Sequence, residues 1–118
     1  MMTFFCYPKC STCRKAEEWL KTNGLEYTVR DIKTDKPSEG EIGKWQELSG
    51  LPLKRFFNTS GQLYRQLGVK ERLEGMDRAE QLQLLGSDGM LVRRPILVSG
   101  DTVLVGFRDA EWAEALLG

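Results

Sequence analysis

The sequence predicts an α/β domain with the element order β-α-β-α, a small helical insertion, and then β-β-α. Three features support this order: an aromatic strand followed by an amphipathic helix, short amphipathic pieces in the middle of the chain, and two β-rich runs joined at a glycine. The chain has 118 residues, of which 41% are hydrophobic and 29% are charged. This composition is typical of a globular domain, and a chain of this length has room for one core.

The first three elements follow from the spacing of the apolar residues. An aromatic run at residues 3–7 stops at Pro8 and predicts a strand. Within residues 11–23 apolar side chains recur at helical spacing, and Gly24 stands where a left-handed cap is expected. A weaker alternation over residues 26–32 predicts the second strand.

The second helix is predicted over residues 39–49, because Ser38 and Glu41 form a capping-box pair at its start. Short amphipathic pieces follow at residues 53–57, 63–67, 69–73 and 78–85. They predict a helical insertion over about residues 51–90.

The last three elements are a hairpin and a helix. Runs of β-forming residues at 96–98 and 102–105 flank Gly100, which supplies the positive φ of a tight turn. Asp109 is predicted to cap the final helix. No repeat or long linker interrupts the chain, so residues 1–118 are predicted to form a single domain.

The residue counts exclude several kinds of chemistry. The chain carries 17 basic and 17 acidic side chains, so its zero net charge gives no broad electrostatic reason to bind nucleic acid or a membrane. It has no histidine, which excludes Ser-His and Cys-His catalytic pairs, and its three cysteines cannot complete a four-ligand zinc site. The sequence also lacks the ~20 apolar residues of a membrane span and a secretory signal, so a cytoplasmic location is expected.

Two cysteines lie where the first strand gives way to the first helix. Cys10 stands at the start of the helix, where backbone N–H groups and the helix dipole stabilise an anion, so it is expected to ionise readily. Lys9 and Arg14 add positive charge beside it. Cys13 follows one turn later, within reach of an oxidised Cys10. In a reducing compartment such a pair is more often redox-active or metal-binding than structural.

Two metal-binding interpretations compete with a redox pair. The pair could be half of a zinc knuckle, but the chain supplies neither a second pair nor a histidine. Together with Cys6 it matches the three-cysteine spacing of iron–sulfur clusters in radical enzymes. Those enzymes are far longer, and a cluster loop would not place a ligand inside an aromatic strand. The preferred interpretation of Cys6 is a small buried side chain in the first strand.

A second candidate segment precedes the third strand. Pro95 is either an ordinary strand-entry proline or a cis proline whose loop packs against the cysteine pair. Arg93 and Arg94 are either solvated loop charges or guanidinium groups for an oxyanion or a partner's carboxylate. The sequence leaves both choices open.

These segments resemble the family that contains glutaredoxin-linked arsenate reductases and Spx-type regulators. The resemblance spans nearly the whole chain and is carried by residues 7–16 (YPKCSTCRKA), 91–96 (LVRRPI) and 105–107 (VGF). A little-characterised Spx-like branch of the family is similar at residues 57–61 (FNTSG), 64–65 (YR) and 87–90 (SDGM). The resemblance implies a thioredoxin-like fold with a helical insertion.

The resemblance also implies roles for individual residues. Cys10 matches the family's nucleophilic cysteine, and Cys13 matches the second cysteine of the Spx-type members, so these two are the expected catalytic residues. The residues expected to bind the substrate or oxyanion, or to shape the site, are Lys9, Ser11, Thr12, Arg14, Arg94 and Pro95.

One departure from the family's pattern counts against arsenate reduction. The family's arsenate reductases bring two further arginines to the oxyanion, whereas the matching positions here are Asn58 and the vicinity of Gly106. Losing two of three guanidinium groups would weaken transition-state binding, unless Arg55 or Arg108 replaced them.

Two functions are therefore expected to compete. The first is an arsenate-reductase-like thiol–disulfide oxidoreductase without a bound cofactor, reduced by thioredoxin or by glutathione and glutaredoxin. The second is a redox-sensing regulator resembling Spx, for which the family implies action through the RNA polymerase α subunit without direct contact to nucleic acid. A third hypothesis is that the fold is kept and the thiols have no turnover role.

Overall fold

The computed structural model describes residues 2–118 and contains a four-stranded mixed sheet. Its strands are β1 (Met2–Cys6), β2 (Thr28–Asp31), β3 (Ile96–Ser99) and β4 (Thr102–Val105). Their order across the sheet is β2-β1-β3-β4, with β1 parallel to β2, and with β3 antiparallel to both β1 and β4. The strands follow one another along the chain as the sequence predicts.

Within residues 2–118, six α-helices connect and cover the strands. They are α1 (Ser11–Thr22), α2 (Glu39–Ser49), α3 (Gln62–Gln66), α4 (Val69–Arg72), α5 (Arg78–Ser87) and α6 (Asp109–Leu117). Single 3-10 turns lie at Leu53–Phe56, Leu73–Gly75 and Gly89–Leu91. The segment between α2 and β3 is thus a run of short helices, as its broken amphipathic pattern indicates. None of the described helices has the length and apolar character needed to cross a membrane.

Capping boxes start two of the six described α-helices, α2 and α5. The Ser38 hydroxyl accepts a hydrogen bond from the Glu41 N–H, and the Glu41 carboxylate accepts one from the Ser38 N–H, so the predicted capping box starts α2. Gly24 follows α1 with a φ of 67°, and Gly100 turns the β3–β4 hairpin with a φ of 58°.

The predicted cap of the last helix is wrong by one residue. Arg108 is the N-cap of α6, and Asp109 already lies in the first turn. The Asp109 carboxylate accepts a hydrogen bond from the Ala110 N–H, which is too near in sequence for a standard cap but still satisfies a free donor of the helix start.

Two apolar layers cover opposite faces of the sheet, because side chains alternate along β1. On one face Phe5 packs with the buried residues of α2 and of the helical insertion, among them Ile42, Trp45 and Phe56. On the other face Phe4 and Cys6 pack with α1 and α6 through Cys13, Ala16, Leu20 and Trp112. Cys6 is 7% exposed, which confirms the interpretation of this residue as part of the core.

The helical insertion is anchored to the segment that precedes β3. Phe57 and Val92 form an isolated antiparallel bridge. On either side of it, the N–H groups of Asn58 and Arg93 donate to backbone carbonyls at 2.8 Å. These bonds hold residues 58–61 next to the start of β3.

A close backbone contact fixes the end of the insertion against the residue after β2. A Cβ atom built on Gly89 would lie 1.6 Å from the carbonyl oxygen of Ile32, so a side chain at this position cannot be accommodated without moving backbone. Gly75 offers a matched control, since a Cβ atom there would meet nothing within 4 Å.

We expect Gly89→Ala to lower the free energy of unfolding by about 1–3 kcal/mol, because overpacking against backbone forces a shift of the chain. Gly75→Ala should change it by less than ~0.5 kcal/mol. Urea unfolding of both variants, followed by circular dichroism, measures the difference. Equal unfolding midpoints for the two variants would contradict the close contact.

Candidate active site

Cys10 is the N-cap residue of α1 and is half-buried. Its backbone is extended, with φ −90° and ψ 121°, and its N–H donates to the Tyr7 carbonyl at 2.9 Å. Because the residue precedes the first turn, the backbone N–H groups of Thr12 and Cys13 lie on its side of the helix and lower the pKa of its thiol. The start of α1 therefore stabilises the thiolate form of this sulfur.

Cys13 lies one turn further along α1 and faces the core, with 3% of its surface exposed. Its sulfur accepts a hydrogen bond from the Tyr7 N–H at 3.3 Å, and its thiol favours the ionised form of Cys10. All three cysteines are free thiols in this structure. The two reduced cysteines of the motif thus lie one helical turn apart at the start of α1.

The two thiols have pKa shifts of opposite sign. Burial alone would raise the pKa of Cys10, but the N–H of Cys13, the thiol of Cys13, the N–H of Thr12 and the charge of Arg94 outweigh it and lower the value. Burial raises the pKa of Cys13, and the neighbouring negative charge of Cys10 raises it further. Burial, together with the charges of Glu17 and Asp31, raises the pKa of Cys6 to about 11. Cys10 is therefore the thiol that ionises first.

The positive charge that acts on Cys10 comes from a different residue than the sequence suggests. Lys9 and Arg14 were expected to supply it, but both side chains are exposed, and Arg14 donates its Nε–H to the Pro8 carbonyl at 3.2 Å. Arg94, from the segment before β3, provides the charge instead. Charges near in sequence point into solvent here, whereas the sheet brings Arg94 to the site.

Arg94 is held by several partners at once. It donates to the carbonyls of Met90 and Val92 at 3.2 and 3.1 Å. With its amide oxygen facing Arg94, Asn58 accepts hydrogen bonds from both terminal nitrogens of that guanidinium at 3.2 Å. The guanidinium carbon also lies 5.5 Å from the centre of the Tyr7 ring. These contacts fix the charge near Cys10 and occupy its donors.

Pro95 adopts the cis form. Its carbonyl accepts a hydrogen bond from the Gly106 N–H at 2.8 Å. The Gly106 carbonyl in turn accepts one from the indole N–H of the buried Trp112 at 3.0 Å. Pro95 thereby joins the segment before β3 to the turn after β4, beside the cysteine pair.

A cavity of about 360 Å³ opens at Cys10. It is lined by Cys10, Thr12, Asn58, Thr59, Ser60, Gly61, Arg93, Arg94, Gly106 and Phe107. Asn58 and Gly106 both line this cavity. They stand at or near the positions where the family's arsenate reductases have two further arginines. Arg55 and Arg108 are exposed and are not among its lining residues, so neither replaces the expected arginines.

Two features of this cavity extend what the sequence predicts. Arg93, which the sequence leaves open as a loop charge or an anion-binding group, lies in the cavity wall. Residues 58–61 of the helical insertion also line the cavity. In the sequence they are marked only by the FNTSG stretch at residues 57–61. Within residues 2–118, no group of three or more His, Cys, Asp or Glu side chains is placed to hold a metal ion.

The arrangement of a thiolate at a helix start beside an Arg-Pro segment recurs in a known family. The sequence model of the ArsC family matches residues 5–115, a span that contains the whole site. The chain belongs to the ArsC family. This confirms the family resemblance carried by the cysteine motif and the Arg-Pro segment.

The ArsC family also accounts for the relatives of this chain. Two proteins of Bacillus subtilis (strain 168) are similar to this chain. "Uncharacterized protein YusI" is 50% identical over 113 residues, and the match covers 96% of each chain. "Regulatory protein MgsR" is 31% identical over 110 residues, and the match covers 93% of this chain and 86% of MgsR. A solved structure titled as a possible arsenate reductase from Streptococcus mutans UA159 is 49% identical, covers 92% of each chain and superposes with a TM-score of 0.86. The fold is thioredoxin-like, as predicted, and this ArsC-family chain is a thiol redox protein.

In this ArsC-family protein, Arg94→Met should raise the pKa of Cys10, because it removes the positive charge that favours the thiolate. The pH at which alkylation of Cys10 by the neutral reagent iodoacetamide is half-maximal should then move upward, and the rate below that pH should fall. The measurement is the alkylation rate as a function of pH, with Cys10→Ser as the baseline.

Asn58→Ala is the matched control for this prediction, since it removes the hydrogen bonds to Arg94 but leaves the charge in place. Its pH profile should stay close to that of the wild type. An Arg94→Met profile that superposes on the profile of Asn58→Ala would show that the charge of Arg94 does not act on Cys10.

Proposed function

We propose that this protein is a thiol–disulfide oxidoreductase in which Cys10 attacks the substrate and Cys13 resolves the mixed disulfide. The observation that carries the proposal is the placement of the two thiols: Cys10 lies at the start of α1, where its pKa is lowered, whereas Cys13 is buried one turn later, where its pKa is raised. Cys10 is also the cysteine that lines the cavity. The pair thus supplies one ready nucleophile and a second thiol that stays protonated until it is needed.

The first chemical step uses the Cys10 thiolate. It attacks one sulfur of a disulfide, a new S–S bond forms to Cys10, the substrate S–S bond breaks, and the other half of the substrate leaves as a thiolate. The N–H groups at the start of α1 and the charge of Arg94 keep Cys10 ionised for this attack. No histidine is needed for it.

The second step follows from the loss of charge on Cys10. The negative charge of Cys10 is one cause of the raised pKa of Cys13, so forming the mixed disulfide favours ionisation of Cys13. The Tyr7 N–H already donates to the Cys13 sulfur and stabilises its anion. Cys13 gives its proton to the departed thiolate or to water and attacks the Cys10 sulfur. The second half of the substrate leaves, and a Cys10–Cys13 disulfide remains.

A thiol reductant returns the pair to its starting state. Thioredoxin, or glutathione with glutaredoxin, has the required dithiol or thiol chemistry, and the two electrons are carried by the protein's own sulfurs. Thr12 contributes its N–H to Cys10, and Pro95 fixes the turn over the cavity. Lys9, Ser11 and Arg14 are exposed around the start of α1, where they would contact the substrate or the reductant.

A second function is favoured by the likeness to MgsR, which is a regulatory protein. In that case the same Cys10–Cys13 disulfide would be a redox signal, and the partner would be the α subunit of RNA polymerase. The two functions differ in turnover: an oxidoreductase cycles many times with an excess of reductant, whereas a regulator changes its affinity for the partner after one oxidation.

The proposed substrate is a disulfide and not arsenate. The similarity to a solved structure named as a possible arsenate reductase is the reason to test arsenate as a substrate. However, Asn58 and Gly106 carry no charge, and Arg94 is engaged by Asn58 and by backbone carbonyls. With fewer positive groups than the family's arsenate reductases bring, the site stabilises the charge of a tetrahedral oxyanion less.

We expect Cys13→Ser to trap a mixed disulfide on Cys10, because the resolving thiol is gone. The serine hydroxyl can still donate to Cys10 in place of that thiol. Mass spectrometry after addition of a small disulfide should show a stable adduct on Cys10. Cys13→Ala is the control variant: it should trap the same adduct more slowly, because it also removes the donor that lowers the pKa of Cys10. An adduct that resolves in Cys13→Ser would contradict the assigned role of Cys13.

Turnover separates the two functions. The reduced protein is offered a small disulfide or arsenate in the presence of thioredoxin, thioredoxin reductase and NADPH, or of glutathione and glutaredoxin with their reductase, and NADPH consumption is followed. Repeated turnover with the disulfide, and a rate with arsenate at the level of Cys10→Ser, supports the proposal. A single oxidation without turnover, together with redox-dependent binding to the polymerase α subunit, would replace the oxidoreductase with the regulator.

A further inference from the structure

The two arginines of the cavity differ in what their side chains contact. Arg94 donates to Met90, Val92 and Asn58, so both of its terminal nitrogens are engaged within the protein. The side chain of Arg93 makes no ion pair with any residue in 2–118, and its Nε atom is buried without a hydrogen-bond partner. A buried guanidinium nitrogen without an acceptor is rare, because the unmade hydrogen bond destabilises the folded state.

The position of Arg93 depends on the glycine at 106. A Cβ atom on Gly106 would lie 2.8 Å from Nε and 3.1 Å from Nη2 of Arg93, so any side chain there would displace the guanidinium. Gly106 also has a φ of 75°, which favours glycine. Its backbone is held by Pro95 and Trp112. The turn after β4 is therefore built to leave room for the Arg93 guanidinium at the cavity.

The rest of the cavity wall is uncharged or positive. Besides the two arginines and Cys10, its polar lining consists of Thr12, Asn58, Thr59 and Ser60, and no carboxylate is among the described lining residues. An anion that enters would thus meet one free guanidinium and several neutral donors, without repulsion from an acidic side chain. It would lie beside the sulfur of Cys10.

We infer that Arg93 binds a carboxylate of the substrate, so that the preferred substrates are small disulfides with a carboxylate near the sulfur. One free guanidinium matches one carboxylate, which it can bind through two parallel hydrogen bonds. A tetrahedral dianion would be matched by a second guanidinium with free terminal nitrogens, whereas both terminal nitrogens of Arg94 already donate within the protein. This inference rests on the proposed thiol–disulfide chemistry and names the substrate class for it.

The redox balance of the step is unchanged by this contact. The disulfide R–S–S–R accepts two electrons and leaves as two R–SH molecules, while the Cys10 and Cys13 thiols give up two electrons and two protons and become a disulfide. Arg93 takes no part in the bond changes. Its contact with the substrate's carboxylate holds the substrate with a sulfur atom facing Cys10. Arg93 is thereby a specificity residue.

The test uses three disulfides that differ mainly in charge. They are 3,3′-dithiodipropionate, which is anionic, bis(2-hydroxyethyl) disulfide, which is neutral, and cystamine, which is cationic. The rate of protein oxidation by each is measured by acid quenching and mass spectrometry, and each rate for a variant is divided by the wild-type rate for the same reagent. Differences in leaving-group chemistry cancel in that ratio.

We expect Arg93→Met to slow oxidation by the anionic disulfide about tenfold or more, as loss of a charge-assisted hydrogen bond does. Oxidation by the neutral disulfide should stay within about twofold of wild type, and oxidation by cystamine should not fall. Arg93→Lys keeps the charge without the planar fork and should fall between wild type and Arg93→Met with the anionic reagent. Arg108→Met, which removes an exposed arginine outside the cavity lining, should leave all three ratios near one.

Equal slowing of all three reagents in Arg93→Met would overturn the inference and leave the proposed function intact. So would a change in the pH profile of iodoacetamide alkylation large enough to account for the loss. The backbone N–H of Arg93 keeps its bond to Phe56 in every variant, and the ratio between reagents is independent of the fraction folded. If none of the three disulfides oxidises the wild type, the proposed function itself fails, and the inference fails with it.

Discussion

The antiparallel pairing of β3 with β1 determines where chemistry can occur in this protein. The register places Ile96 opposite Phe5 of β1 and opposite the last residue of β4. The segment before β3 therefore lies beside the loop after β1, and the turn after β4 lies beside both. Cys10, Arg94 and Gly106 meet at one end of the sheet although they are far apart in the sequence, and the approach of Arg94 and Gly106 to Cys10 depends on that register.

The same geometry separates the roles of the three thiols. β1 and α1 bury Cys6 and Cys13 in one apolar layer, where ionisation is unfavourable, whereas the start of α1 leaves Cys10 at the cavity among backbone donors. The spacing of Cys10 and Cys13 then makes the ionisation of one depend on the charge of the other. A protein without histidine thereby obtains both an activated nucleophile and an ordered sequence of attack.

Local sequence patterns predict much of this fold and part of the site. The capping box at Ser38, the breaker at Pro8 and the turn at Gly100 each act over a few residues, and the structure has the predicted elements there. The placement of Cys10 at a helix start is local in the same way. The partners of charged side chains are not local, which is why Lys9 appears in the sequence as a neighbour of the thiolate and lies in solvent in the structure.

The functional difference between Arg93 and Arg94 could not be obtained from the sequence, because each is defined by residues brought together in three dimensions. The account as a whole depends on one bond, the disulfide between Cys10 and Cys13. The most direct measurement oxidises the reduced protein with one equivalent of a small disulfide, digests it under acid conditions and maps the linkage by mass spectrometry. A Cys10–Cys13 disulfide with Cys6 free is the predicted result. A linkage that includes Cys6, or oxidation without any bond between Cys10 and Cys13, would contradict the account.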